Sequence, residues 1–469
     1  MRAKGRLAGL RVRRHAIVTR ERAAVRYSMR MQKLLLKRLW LLAPGALALA
    51  LTWLAQANPQ LTEELFSRGI YPWLSSAVAL LPSFAEFSVA QWVVVAYVLL
   101  CAGFLAYYLV RFIRGKGERG MVAWRAVCGA LAIASVTYSG FAVLCGLNYY
   151  RFTFADVAGF EIRESTPEEL VELCEALAAG MNEARAEVSA GVEGDADSST
   201  ADPAESPGAS SDSGAHAEAG SGSEARGMPV EPSELAQASE TPSAAEQITR
   251  ALEARAAQNA AAAEPDAYAE ANGGFSAYAQ RAVRAIERLA ETYPALERPL
   301  YSPPKPVLFS ELMSYADIGG MYFPFTVESN INTSGPFFTL PATMAHELAH
   351  QCGFMREDEA NFIAYLTCKD DADPLVRYSG LTLAFDHASS ALARTDYEAY
   401  VAVYGSLAYE VRADRSARLE YWARYEGPVA HVSNAANNTY LRANGQTDGT
   451  ASYGRMVDLL LAEQRAARE

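Results

Sequence analysis

The chain begins with three long apolar stretches separated by polar segments. They cover residues 39–57, 89–110 and 124–147, and the first of them carries no charged side chain. An α-helix rises 1.5 Å per residue, so about twenty apolar residues cross the ~30 Å hydrocarbon core of a bilayer. The pattern therefore predicts a region of three transmembrane helices with short loops over residues 39–147.

Beyond this region the apolar positions follow helical spacing over most of the chain. A capping box at residues 166–169 predicts a helix that runs to about residue 186. Apolar side chains recur every three or four positions in residues 275–293, which predicts a helix with one core-facing side. From residue 373 onward the pattern is helical throughout.

Short stretches rich in β-branched and aromatic residues lie between these helices. They cover residues 306–310, 320–327 and 328–333 and are bounded by glycine and proline. Such stretches predict strands. The fold class expected from the whole pattern is a membrane α-helical region followed by a mainly helical α+β domain with a small sheet.

Composition changes abruptly after the first helix of this second domain. Residues 188–246 consist mainly of Ala, Ser, Gly, Glu, Asp and Pro, so they cannot bury enough apolar surface to offset the entropy of ordering. We predict a disordered insert here. It divides the domain into a first part, residues 148–187, and a second part, residues 247–469.

Charge is distributed unevenly along the chain, whose net charge is -12. Residues 1–38 hold thirteen Lys and Arg and one acidic residue, and a basic segment directly before an apolar span is typical of the cytoplasmic side. We therefore predict a multi-pass protein of the plasma membrane, in contact with the lipid bilayer, with a cytoplasmic N-terminus. Three crossings place residues 148–469 outside the cytoplasm, where the acidic composition argues against nucleic acid as a partner.

Candidate chemistry is concentrated in HELAH, residues 346–350. This is the HExxH pattern, in which two imidazoles four positions apart lie on one face of a helix and bind one Zn²⁺. Pro341 suits the first turn of that helix, and Gly353 suits its end. Zn²⁺ is therefore the predicted cofactor, with His346 and His350 as metal ligands.

Such a site needs a third protein ligand, because catalytic zinc usually has three and keeps a fourth position for water. A second helical stretch, residues 357–366, begins with three consecutive carboxylates. Glu357 is the predicted third ligand, and Glu359 is the alternative. A carboxylate that does not bind metal would complement the helix dipole at this N-terminus.

The motif ExxAN at residues 357–361, following HExxH, resembles the gluzincin metallopeptidases, in which the Glu of a similar motif completes the zinc site. The longer string from HELAHQ to FIAYL, with DPLVRYSG at residues 373–380 and YLRANGQTDG at residues 440–449, is similar to an uncharacterised family of bacterial membrane proteins with a gluzincin-like signature. The resemblance implies a zincin-like (gluzincin) domain and a membrane-anchored zinc metallopeptidase.

In peptidases of this class an edge strand lies directly before the HExxH helix and pairs with the substrate backbone. The resemblance therefore makes Met321, Tyr322 and Phe323 the expected substrate edge strand. A buried strand of a small sheet fits the same residues equally well.

The implied mechanism is hydrolysis of a peptide bond by a zinc-activated water, with Glu347 as the general base. His431 and Tyr453 lie downstream and could fold back to stabilise an oxyanion. The expected partner is a peptide or protein substrate, such as a membrane or envelope protein. Two other interpretations stay open: a zinc-binding membrane sensor or scaffold without hydrolytic activity, and a structural domain with a vestigial site.

Overall fold

The computed structural model describes residues 39–115, 117–199, 244–444 and 453–468, together with isolated residues between 22 and 33. The predicted basic leader, residues 1–38, lies almost entirely outside the described residues, and so does most of the predicted insert.

The N-terminal part is helical. Its helices are α1 (Ala43–Ala57), α2 (Tyr71–Ala79), α3 (Val89–Arg114) and α4 (Arg119–Leu144). A π-helical segment, Thr62–Ile70, leads into α2, and a 3-10 turn, Gly146–Tyr150, follows α4. In the described part of the chain, two helices, α3 and α4, are long and apolar enough to cross a membrane. The most apolar stretch of α3 is not buried anywhere, as expected of a helix that is apolar on all sides and faces lipid.

The first predicted span is shorter than expected. α1 has 15 residues, which corresponds to a rise of about 22 Å, less than the ~30 Å of a hydrocarbon core. Pro44 lies in its first turn, where the fixed φ of proline favours a helix start, and Leu39–Leu41 form a separate 3-10 turn. Membrane-length helices are thus confirmed for the second and third apolar stretches, while a crossing by the first stays a prediction.

The C-terminal region, which follows α4, is also mainly helical, as predicted. Its helices are α5 (Phe154–Ala158), α6 (Pro167–Ser199), α7 (Ala244–Ala271), α8 (Gly274–Thr292), α9 (Ser310–Tyr315), α10 (Leu340–Gln351), α11 (Glu357–Cys368), α12 (Pro374–Thr395), α13 (Tyr397–Gly405), α14 (Tyr409–Ala423), α15 (Pro428–Ala443) and α16 (Tyr453–Ala466). α10 and α11 pack against each other and against α8 and α12. Met344, Leu348, Phe362 and Phe385 are fully buried between them, so the core surrounds the two helices that carry the HExxH and ExxAN motifs.

The predicted insert is too long at both ends. α6 continues to Ser199 and α7 begins at Ala244, so helix replaces predicted disorder on either side. The reason is tertiary: Val188 is fully buried, and Tyr268 of α7 lies so close to Gly191 of α6 that a Cβ there would be 2.5 Å from its ring. Packing between α6 and α7 supplies contacts that composition alone does not indicate.

A small mixed sheet lies beside α10. Its strands in the described part of the chain are β1 (Lys305–Pro306), β2 (Gly320–Phe323) and β3 (Glu328–Ile331), in the order β1-β3-β2. β1 is parallel and β2 antiparallel to β3. The predicted sheet is therefore confirmed, with shorter strands than expected, and β2 forms one edge of it among the described residues.

Candidate metal centre

The helix α10 positions two imidazoles on one face. It has Pro341 in its first turn and ends before Gly353, whose φ of +86° is a left-handed conformation that favours glycine. His346 and His350 are four positions apart, which places them one above the other, and their ring centroids are 4.7 Å apart.

The turn after α10 brings the start of α11 against this face. Nε2 of His346 lies 3.3 Å from Oε2 of Glu357, and Nε2 of His350 lies 3.7 Å from Oε1 of the same carboxylate. One ligand atom from each of the three residues lies within 4.8 Å of the other two. The structure thus brings the three predicted ligands together, in a cluster that could hold one metal ion.

Both histidines are oriented by hydrogen bonds on the far side of their rings. Nδ1 of His346 lies 2.7 Å from Oδ1 of Asn361, and Nδ1 of His350 lies 2.8 Å from the backbone carbonyl oxygen of Phe354. Because both acceptors are oxygen atoms, each Nδ1 donates a hydrogen bond, and each Nε2 is the ring nitrogen that faces Glu357 and can bind a metal. Two such nitrogens and a carboxylate are a donor set that suits zinc.

The electrostatics of the cluster favour a bound cation. Burial lowers the pKa of His346, but its hydrogen bond to Glu357 and the charge of that carboxylate raise it to about 9. Burial and the neighbouring His346 lower the pKa of His350 to about 4. Burial raises the pKa of Glu357, yet the two histidines hold it below its usual value. Without a metal the cluster therefore holds a proton on His346 beside an ionised carboxylate and a neutral imidazole, and a metal ion that binds there takes the place of that proton.

Glu347 lies between the two histidines in sequence and is buried. Burial raises its pKa to about 8, and its Oε2 atom has no hydrogen-bond partner among the described residues. Gly320 of β2 approaches so closely that a Cβ there would be 2.6 Å from Oε1 of Glu347 and 2.7 Å from Cγ2 of Thr343. Since buried polar atoms almost always have partners, the free oxygen indicates that this site receives a polar group beside the three ligands.

A cavity of about 640 Å³ opens over these residues. β2 forms one wall. Phe141 near the end of α4, with Cys145 and Tyr149 just after it, forms another, and Tyr440 of α15 packs against all three in that wall. The volume is in the range of sites that enclose a ligand.

The chain matches the family described as "Protein of unknown function (DUF3810)" over residues 66–219 and 226–461. The chain belongs to this family. The predicted resemblance to an uncharacterised family is thereby confirmed. No curated protein and no solved structure matches the chain. The DUF3810 match includes both membrane-length helices, the HExxH and ExxAN motifs and the sheet, whereas it begins after the first apolar stretch, residues 39–57.

The DUF3810 region contains the strand predicted to bind substrate. Met321, Tyr322 and Phe323 belong to β2 and line the cavity. Within the described residues β2 has a strand neighbour on one side, β3. The side chain of Glu359, the alternative ligand, lies elsewhere: its Oε1 accepts hydrogen bonds from Arg356 at 2.7 Å and from the backbone N–H of Phe154 at 3.1 Å.

Of the two residues predicted to stabilise an oxyanion, the structure describes the side chain of one, His431. His431 is exposed on α15 and does not line the cavity, because it lies on a different side of this helix from Tyr440. Tyr453 begins α16, and the prediction for its side chain falls outside what the structure describes.

Sequence reasoning missed several residues that shape the site. Asn361, which orients His346, is the Asn of the ExxAN motif, so the signal was present in the sequence. Gly320 also left a signal, since a glycine at a strand end often marks close approach of another group. Tyr440 opens the YLRANGQTDG string, but neither its place in the cavity wall nor the role of the Phe354 carbonyl left a signal, because these depend on contacts between distant segments or on backbone atoms.

Proposed function

We propose that the protein is a membrane-anchored zinc metallopeptidase. The observation that carries the proposal is the convergence of the two imidazoles and the Glu357 carboxylate within 4.8 Å, beside the Oε2 atom of Glu347, for which the described residues supply no partner. Structural zinc sites usually close with four protein ligands. Three donors among the described residues, next to a buried carboxylate and a cavity, are the arrangement of a hydrolytic site.

Zn²⁺ fits the residues that are present. His346, His350 and Glu357 would hold it, and Asn361 and the Phe354 carbonyl would keep the two rings in place. When bound there, Zn²⁺ supplies a Lewis acid that lowers the pKa of water and polarises a carbonyl group.

Glu347 is the residue placed to move protons. It lines the cavity, and the burial of its carboxylate excludes bulk water from the side chain. Its Oε2 can take a proton from a water molecule and hold it until the nitrogen of the leaving amine accepts it. β2 runs along the same cavity, where its outer edge can align an extended peptide through main-chain hydrogen bonds.

The side of the membrane on which the metal centre lies is inferred from charge. The loop between α3 and α4 is basic, as is the N-terminal leader, and both features indicate the cytoplasmic face. The other ends of α3 and α4, and with them the metal centre, are then extracytoplasmic.

Replacing His346 by Ala is expected to remove both zinc and hydrolysis. Loss of a residue that only orients a ligand already lowers metal affinity by about 10–100-fold, so loss of a ligand should exceed that range. Zinc content and cleavage of a randomised peptide mixture, measured on the same purified samples, check this. His431→Ala, at an exposed histidine outside the cavity, is the matched control and should behave like the wild type.

Stoichiometric zinc in the His346→Ala variant would contradict the ligand assignment. Zinc bound by the wild type without cleavage of any peptide would instead favour the sensor or scaffold.

Replacing Gly320 by Ala is expected to slow hydrolysis while zinc stays bound. The new Cβ would overlap Glu347 Oε1 and Thr343 Cγ2, and a displacement of about 1 Å at a reacting group can cost about 10²-fold in rate. The neighbouring Gly319→Ala is the matched control, since a Cβ there meets nothing within 4 Å in the described part of the chain. Equal rates for the two variants would show that close approach at position 320 has no catalytic role.

A further inference from the structure

Both membrane-length helices are attached to the sheet at one end, beside the metal centre. At the start of α3, the carboxylate of Glu328 in β3 accepts hydrogen bonds from the backbone N–H groups of Val89 and Ala90, at 3.0 and 2.8 Å. At the end of α4, the hydroxyl of Tyr322 in β2 donates to the carbonyl of Leu144 at 3.2 Å. These two helix ends therefore lie level with the strands that flank the metal centre.

The side chain of Tyr322 bridges the end of α4 and the metal ligands. Its hydroxyl reaches Leu144, and its ring centroid lies 6.1 Å from that of His350. The sulfur of Cys145, directly after α4, lies 3.6 Å from the sulfur of Met355, two positions before Glu357. The metal centre is thus about one side chain away from the point where an apolar, membrane-length helix ends.

The cavity wall on this side is apolar and aromatic. The ring of Phe141 in α4 lies 6.0 Å from that of Tyr440 in α15. Phe325, in the turn between β2 and β3, covers Gly140 so closely that a Cβ there would be 2.8 Å from its ring. All three aromatic residues line the cavity, so the end of a membrane-length helix and α15 together form its apolar wall.

Two helices next to the cavity lining expose large apolar side chains. Leu312 of α9 is 66% exposed and Val432 of α15 is 70% exposed. α9 lies beside the start of α3, because the backbone N–H of Leu308 donates to Gln91 at 3.1 Å. Exposed apolar side chains near the end of a membrane-length helix are typical of a surface that rests on a membrane.

We propose that the cavity receives the juxtamembrane segment of a membrane-anchored polypeptide, the stretch of chain that has just left the bilayer. This proposal rests on the peptidase function and adds the class of substrate. A segment that leaves the bilayer beside α4 reaches the apolar wall first, then β2, then the metal ligands. Anchoring keeps the segment at a high effective concentration near the cavity, which a soluble peptide lacks.

The test uses the full chain, loaded with zinc, in vesicles that contain anionic phospholipid. Two probes carry the same randomised peptide segment: one is joined to a transmembrane helix and the other is free. The anchored probe is expected to be cut about 100-fold faster or more, within about ten residues of its helix, a reach of about 35 Å for an extended chain. Equal rates, or cuts at any distance from the helix, would overturn the proposal. Failure to cut either probe would overturn the peptidase function itself, and this proposal with it.

A second measurement does not depend on hydrolysis. Nitroxide labels on cysteines introduced at Leu312 or Val432 are expected to collide with oxygen dissolved in lipid more than with a water-soluble relaxing agent. Five native cysteines are buried and Cys101 is partly exposed, so the chain without an introduced cysteine, treated with the same label, supplies the background signal. A label at Tyr397, an exposed aromatic on α13, should report water. Water-like values at Leu312 and Val432 would overturn the proposal.

A substitution at Val432 tests whether membrane contact and cleavage of the anchored probe are linked. Val432→Glu places a charge at the bilayer surface and is expected to lower cleavage of the anchored probe by about fivefold, with the rate on the free probe unchanged. Tyr397→Glu makes a similar change outside the cavity lining and should alter neither rate. A Val432→Glu variant that cuts the anchored probe at the wild-type rate counts against the proposal.

Discussion

Replacing Glu347 by Gln is expected to lower the rate of peptide hydrolysis by about 10²–10⁴-fold, the contribution typical of a general base, while zinc remains bound. Gln has nearly the same shape as Glu, but its amide cannot take up a proton. The three ligands keep their positions, because Asn361 and the Phe354 carbonyl still orient the two imidazoles. Measuring kcat and zinc content on the same sample checks both parts.

Stability distinguishes this variant from a misfolded one. The carboxylate of Glu347 is buried, and its Oε2 has no partner in the part of the chain that the structure describes. Gln has the size of Glu and carries no charge, as is true of Glu347 itself below its raised pKa of about 8, so the unfolding temperature should stay close to that of the wild type. The matched control is Glu398→Gln, at a carboxylate on the exposed start of α13. Hydrolysis at the wild-type rate by the Glu347→Gln variant would contradict the proposed mechanism.

Replacing Arg151 by Met is expected to lower the free energy of unfolding by about 3–5 kcal/mol, the effect of breaking a buried ion pair. The guanidinium of Arg151 is 1% exposed and donates to both oxygens of Glu63 at 2.9 and 2.8 Å. It also donates to the carbonyl of Cys352 at 3.2 Å and lies 3.9 Å from the ring centroid of Phe354. Denaturant unfolding in detergent measures the change.

The same variant should also bind zinc more weakly. Arg151 holds the turn between α10 and α11, whose Phe354 carbonyl orients His350. Arg68→Met is the matched control, because Arg68 pairs with the same Glu63 at 2.8 Å but is 46% exposed. Exposed ion pairs contribute about 0–1 kcal/mol. Equal losses of stability in the two variants would show that burial of the Arg151 pair has no special importance.

Much of the fold could be predicted from local signals. The bounds of α10 follow from Pro341 and Gly353, and helices α3 and α4 follow from long apolar stretches. The exceptions have physical causes. Pro44 starts α1 late, which leaves it 15 residues long. Packing of α6 on α7 extends both helices into residues that composition indicates to be disordered.

In the candidate site, too, some features could be predicted from local signals and others depended on packing. Spacing and the ExxAN motif predicted His346, His350 and Glu357 as ligands, with Glu359 as the alternative, since both carboxylates lie in the first turn of α11. The choice depends on how α11 packs: Glu357 meets the histidines, whereas Glu359 is held by Arg356.

The sequence by itself determined two membrane-length helices and a pair of histidines on one helical face, because span length and helical period depend on residues that are close in the chain. Tertiary structure decided the distances between Glu357 and the two histidines, the approach of Gly320 to Glu347 and the position of the cavity at the end of α4. Those features depend on distances between atoms that are far apart in sequence, and only the packed chain sets such distances.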